Sequence, residues 1–393
     1  MKLWLFSGVL VFVSMLTLTT VPAAERTLHL PEVPYQYANV DLPAHFKQPA
    51  AEQFDNTPAD NPVTDAGATL GRVLFYDRRL SANNTVSCGS CHVQAHAFAD
   101  SSRFSRGFTG GLTTRHAMNL VNLRYHPRAQ FFWDERGGNL EAMVLLPIEN
   151  RIEMGMDVTN LPAILAAEPR YSILFRNAFG DSEITNDRVA RALAQFLRSM
   201  VSYQSRYDEG RLRTRSSQND FPNYTREENL GKALFLHNCG LCHLPAGVPA
   251  EVRVRSATRG KRVSTDQDAH FVMAGPPVNT GLDDETARTD GGVGNITGNP
   301  RDLGRFKSPS LRNVEVTGPY MHDGRFPTLD AVIDHYSSGG KNDPNKNVGV
   351  QPHDRQGRPT HFTSSEKAAL IAFLKTLTDS KFLSDPKFSD PFK

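Results

Sequence analysis

Two pentapeptides, Cys88-Gly89-Ser90-Cys91-His92 and Cys239-Gly240-Leu241-Cys242-His243, take up all four cysteines of this 393-residue chain. Each has the pattern that holds a c-type haem. Two thiols one helical turn apart reach the vinyl groups on one porphyrin edge, and the histidine that follows lies beneath the metal. Four cysteines could instead form two disulfides or one zinc site. A zinc ribbon, however, sets its Cys-x-x-Cys pairs about 15–20 residues apart and asks for no histidine after each. Here the pairs are far apart and both carry that histidine. The spacing points to two covalently bound haems, attached through Cys88, Cys91, Cys239 and Cys242, with His92 and His243 as iron ligands.

The elements that must position these motifs repeat. Leu70-Gly71-Arg72-Val73-Leu74-Phe75 precedes the first motif and Leu230-Gly231-Lys232-Ala233-Leu234-Phe235 the second. Both read as an amphipathic helix leading into a haem-binding turn. Thr64-Asp65 and Thr225-Arg226-Glu227-Glu228 are plausible helix starts, the second with the pattern of a capping box. Residues 187–203 and 364–377 carry apolar side chains at helical spacing, whereas 249–304, rich in Gly, Thr, Asp and Asn, reads as long ordered loop. The polar stretch 213–224 is the best linker. The expected fold is mostly α, with few strands: two cytochrome c-type haem domains joined by long ordered loops, over residues 25–212 and 213–393.

Residues 1–24 read as a signal peptide: Lys2, an apolar run over 3–18, then Val21-Pro22-Ala23-Ala24 with small residues suited to cleavage. Export fits the haems, since c-type attachment occurs beyond the bacterial inner membrane. The expectation is a periplasmic protein without stable membrane insertion. A net charge of +2 gives no case for nucleic acid as partner. The basic clusters Arg253-Val254-Arg255 and Arg259-Gly260-Lys261-Arg262 read as solvated loop.

Four further segments carry a resemblance: Gln130-Phe131-Phe132-Trp133-Asp134-Glu135-Arg136, residues 147–156 with Glu153-Met154, Leu311-Arg312-Asn313-Val314-Glu315, and Gly318-Pro319-Tyr320-Met321-His322-Asp323-Gly324-Arg325-Phe326. In this order, over about residues 70–377, the chain resembles the bacterial di-haem cytochrome c peroxidases, a family that includes the MauG-type enzymes. The resemblance implies unequal haems. The one on His92 would react with peroxide, and the one on His243 would be six-coordinate and transfer electrons. The family's sixth ligand lies fourteen residues after the His-Asp-Gly histidine, here Tyr336 counted from His322. Peroxidases typically use methionine at this place and MauG-type proteins tyrosine; His335 is the neighbouring alternative. Trp133 matches the tryptophan between the haems, and Glu153 the distal acid, with Glu149 as a local rival.

The chain also departs from the family pattern. Met143 stands where several members have a distal glutamine. The loop histidine that closes the resting peroxidatic haem has no clear counterpart: His96 lies on the proximal side, and His116 stands where the family usually has asparagine. Calcium is a further candidate cofactor, through the carbonyls of Thr317 and Pro319 with Asn119 filling in, although imidazole at 116 suits it poorly. The resemblance implies a periplasmic enzyme reducing H₂O₂ to water with electrons from a small c-type cytochrome or cupredoxin. One alternative is MauG-like oxidation of a partner protein's residues, and another a non-enzymatic di-haem electron carrier. Members are often homodimers.

Overall fold

The computed structural model describes residues 26–47, 49–126, 128–243, 275–354 and 357–393. The expected signal peptide and both basic clusters lie outside the described residues. Seven described helices have ten residues or more: α1 (Asp65–Tyr76), α2 (Leu140–Glu149), α3 (Pro169–Phe179), α4 (Asn186–Ser199), α5 (Arg226–Asn238), α6 (Leu329–Ser338) and α7 (Ser364–Lys375). No strand occurs among the described residues, only isolated bridges. None of the described helices is long and apolar enough to cross a membrane.

The helices begin where the sequence places caps. The Thr64 side chain accepts from Gly67 N at the start of α1, and Thr225 and Glu228 form the anticipated capping box on α5. The repeated glycine explains how each core closes. A Cβ on Gly71 would lie 2.0 Å from the carbonyl oxygen of Ala192 and 2.8 Å from Phe196 Cβ, both on α4. A Cβ on Gly231 would lie 1.8 Å from the Ala369 carbonyl oxygen and 2.9 Å from Phe373 Cβ, both on α7. Only a residue without a side chain lets these backbones touch. Thus α1 with α4, and α5 with α7, form the same helix pair, and each pair anchors its own apolar cluster.

The repeat continues into the loops that face the haem motifs. Bridges Phe131–Gly137 and Tyr320–Phe326 close two matching hairpins. Phe132 and Met321 (φ 65° and 73°) correspond, as do Glu135 and Gly324 (φ 57° and 62°). Asp134 pairs with Arg136 at 2.9 Å and Asp323 with Arg325 at 2.8 Å. Each hairpin then delivers a helix, α2 capped by Asn139 and α6 capped by Thr328.

The stretch 213–224 carries no helix but is fixed: Phe221 is buried, and the Tyr224 and Thr376 hydroxyls are 2.5 Å apart. The C-terminal tail crosses back to the N-terminal core. Phe382 and Phe388 join that core, and the Tyr37 and Tyr76 hydroxyls donate to the carbonyls of Lys387 and Phe388, each at 2.7 Å. A buried ion network ties the halves further: Asp208 accepts from Arg312 Nη2 at 2.6 Å and meets His45 Nε2 at 2.9 Å. Burial raises the Asp208 carboxyl, but Arg312 and His45 outweigh it and hold the group well below the usual carboxylate range.

Candidate active site

The Cys88–Cys91 turn packs on the end of α1, where a Cβ on Gly89 would lie 2.4 Å from the Tyr76 ring. His92 donates Nδ1–H to the Phe98 carbonyl at 2.7 Å, which leaves Nε2 for a metal. In the second motif His243 does the same to the Pro309 carbonyl at 3.2 Å. Burial pushes the His243 pKa down to about 4, so its imidazole stays neutral, the form that ligates iron. None of the four cysteines forms a disulfide, and the described residues hold no cluster of three or more His, Cys, Asp or Glu suited to a metal ion. Neither the disulfide nor the zinc alternative is formed.

Each motif opens onto a cavity. The first, about 430 Å³, is lined by Cys91 and His92; the second, about 180 Å³, by Cys239, Cys242 and His243. Thiols outside any disulfide, beside an oriented imidazole at the edge of a cavity, are what a covalent haem requires, and both sites meet that requirement.

What faces the two histidines differs. Helices α2 and α6 contribute to the cavity linings through corresponding positions. Eight residues beyond its cap, α2 places Pro147 and α6 places Tyr336, and each lines its own cavity. Proline has no side-chain donor atom, whereas a tyrosine oxygen can bind iron. Four residues beyond the cap, the same helices present Met143 and Val332, so the position where some relatives carry glutamine is apolar here. His335 turns elsewhere, donating from Nε2 to the Thr280 carbonyl at 3.0 Å, and does not line the cavity.

Glu153 lines the first cavity, while its rival Glu149 is exposed outside it. The Glu153 carboxylate forms no side-chain hydrogen bond among the described residues. Burial raises its pKa, and Arg136, which also lines the cavity, opposes the shift only in part. Among the described residues no histidine is free to close this site. His96 donates from Nδ1 to the Val316 carbonyl at 3.1 Å and lines neither cavity. His116 has its Nε2 tied to the Asp100 carbonyl at 2.8 Å.

Between the cavities stands a shared wall, since Trp133, His116, Met118, Asn119 and Lys307 line both. Trp133 is fixed by its indole N–H, which donates to the His116 carbonyl at 2.8 Å. The two halves exchange backbone bonds here: Lys307 N donates to the Trp133 carbonyl at 2.9 Å, and His116 N to the His322 carbonyl at 2.8 Å. Arg115 adds ion pairs to Asp134 at 2.5 Å and Asp290 at 2.7 Å. Thr317 and Pro319, the expected calcium carbonyls, line the second cavity with Asn119, whose amide donates to the Ser310 carbonyl at 3.2 Å. Sequence reasoning overlooked Lys307, which follows Arg305-Phe306 and carries no motif that marks it.

The family profile described as di-haem cytochrome c peroxidase matches residues 65–216. Over 341 residues the chain is 33% identical to the methylamine utilization protein MauG of Methylorubrum extorquens, covering 86% of this chain and 84% of that one. It is 30% identical over 344 residues to cytochrome-c peroxidase IdrP1 of Denitromonas iodatirespirans, covering 86% and 88%. Among solved structures it is similar to a MauG-like protein associated with microbial copper homeostasis, with TM-score 0.70 and 34% identity over 90% of this chain and 99% of that one. Together with the paired haem motifs and their two cavities, these likenesses place the chain in the di-haem cytochrome c peroxidase and MauG family of oxidoreductases, which carry two c-type haems.

Proposed function

We propose that this protein is a periplasmic peroxidase that reduces H₂O₂ to two waters, consuming two protons and two electrons. Peroxide is taken at the His92 site, and electrons enter from a small c-type cytochrome or cupredoxin by way of the His243 site. The observation that carries this reading is the inequality of α2 and α6. At corresponding positions α2 sets Pro147, which has no ligating atom, in the His92 cavity, while α6 sets Tyr336 in the His243 cavity. When bound, the haems supply the redox iron at each site.

The protein's residues do the rest. Glu153 takes the proton from the near oxygen of peroxide and returns it to the leaving oxygen. Its carboxylate has no other hydrogen bond to break among the described residues, and Met143 and Pro147 line the same cavity. Trp133, held by His116, is placed to pass electrons between the sites, because an aromatic ring in the wall shortens each gap. Since Glu153 acts as a base first, activity is lost as pH falls through its raised pKa, above the point where an ordinary carboxylate would fail. Glu153→Gln should lower steady-state peroxide consumption by about 10²–10⁴-fold and abolish that acidic limb, with two haems still attached. Full activity in Glu153→Gln would remove the assignment.

A second reading is favoured by Tyr336. An anionic oxygen ligand favours higher oxidation states at iron, which suits oxidation of a partner protein over long range. Steady turnover of reduced cytochrome c with peroxide supports the first reading; peroxide consumption only when a protein substrate is modified supports the second.

A further inference from the structure

Lys307 is 5% exposed, yet it forms no ion pair and no side-chain hydrogen bond among the described residues. Its ammonium lies over the face of Phe131, at 5.8 Å from the ring centroid. Glu135, the carboxylate whose field reaches it, is engaged by Arg128 at 3.0 Å and 3.1 Å. Burying an ammonium without a partner is strongly unfavourable, so such a group implies a counter-charge that the described residues do not supply. Its position limits what that anion can be. Lys307 lies in the wall shared by both cavities, and its own N–H is bonded to the Trp133 carbonyl, which fixes the residue at the inter-haem contact. Each cavity is built for a haem, and each haem brings two propionate carboxylates.

We infer that Lys307 is the anchor for haem propionate at the junction of the two sites, and through that charge a determinant of both haem potentials. Burial lowers the lysine pKa to about 8, and a propionate partner would favour the charged form. The inference rests on the di-haem assignment and adds a residue to it. Removing a positive charge beside a haem favours the ferric state, so the potential must fall.

The test uses the holo-protein and spectroelectrochemical titration of both haems, which does not depend on turnover. Lys307→Met should shift the ferric–ferrous equilibrium of at least one haem toward ferric by ten-fold or more, 59 mV for one electron. Lys307→Arg should stay close to the parent. If Lys307→Met and Lys307→Gln fail to accumulate with two haems while Lys307→Arg does, a required charge at this place is equally supported. A folded, di-haem Lys307→Met with both potentials unchanged overturns the inference. Absence of two haems from the parent protein would instead overturn the di-haem assignment.

Discussion

At the scale of single residues, the haem-attaching cysteines and their histidines were legible because covalent attachment fixes their spacing within five residues. The distal residues were legible only in part. The resemblance pointed to Trp133, Glu153 and Tyr336, but it left His335 and Glu149 in competition with two of them. The structure separates those rivals by direction, since His335 is spent on Thr280 and Glu149 is exposed. Lys307 was illegible because nothing in a sequence shows that a lysine is buried without a carboxylate. Trp133 lines both cavities, so replacing it should affect exchange between them more than either site alone. Trp133→Phe keeps an aromatic ring but loses the indole donor to His116. We expect stopped-flow mixing of the half-reduced protein with peroxide to show slower oxidation of the second haem, with peroxide binding at the first unchanged.

At the scale of elements, the repeat Leu-Gly-x-x-Leu-Phe was visible, but its meaning was not. The partner helices α4 and α7 contribute Ala192 with Phe196 and Ala369 with Phe373, far along the chain and too sparse a pattern to read as a repeat. The correspondence of Pro147 with Tyr336 was hidden likewise, because α2 and α6 share little beyond their caps and apolar faces. It emerged from hairpins that match in backbone conformation. Gly71→Ala and Gly231→Ala each force a methyl group against a backbone carbonyl at 2.0 Å and 1.8 Å. Each should destabilise the protein by about 1–3 kcal/mol, read from the denaturant midpoint. Gly138→Ala, where a Cβ meets nothing within 4 Å, should leave the midpoint unchanged or slightly raised.

At the scale of the whole molecule, the expected mostly α chain with long loops is what the described residues show. Sequence gave no sign that residues 379–393 return to the N-terminal core, because that packing joins Phe382 and Phe388 to aromatic partners hundreds of residues away. Nor did it show that Asp208, Arg312 and His45 meet across the halves. Because the Asp208 pKa is depressed in the folded state, its stabilisation is complete above the unfolded carboxyl value, about 3.9, and drains away as pH falls toward the folded value. The urea midpoint should therefore decline below about pH 4. In Asp208→Asn, which leaves Arg312 buried without its partner, stability at neutral pH should fall by about 3–5 kcal/mol and that acid dependence should flatten.

On the proposed reading the molecule has a direction: peroxide is taken at the His92 site, electrons enter at the His243 site, and Trp133 stands in the wall that lines both cavities. Electron paramagnetic resonance of the ferric holo-protein at neutral pH tests this most directly. Pro147 and Tyr336 predict one high-spin and one low-spin haem in equal amounts, with Tyr336→Phe altering the low-spin signal alone. Two low-spin haems in the parent protein, or a low-spin signal indifferent to Tyr336→Phe, would contradict it.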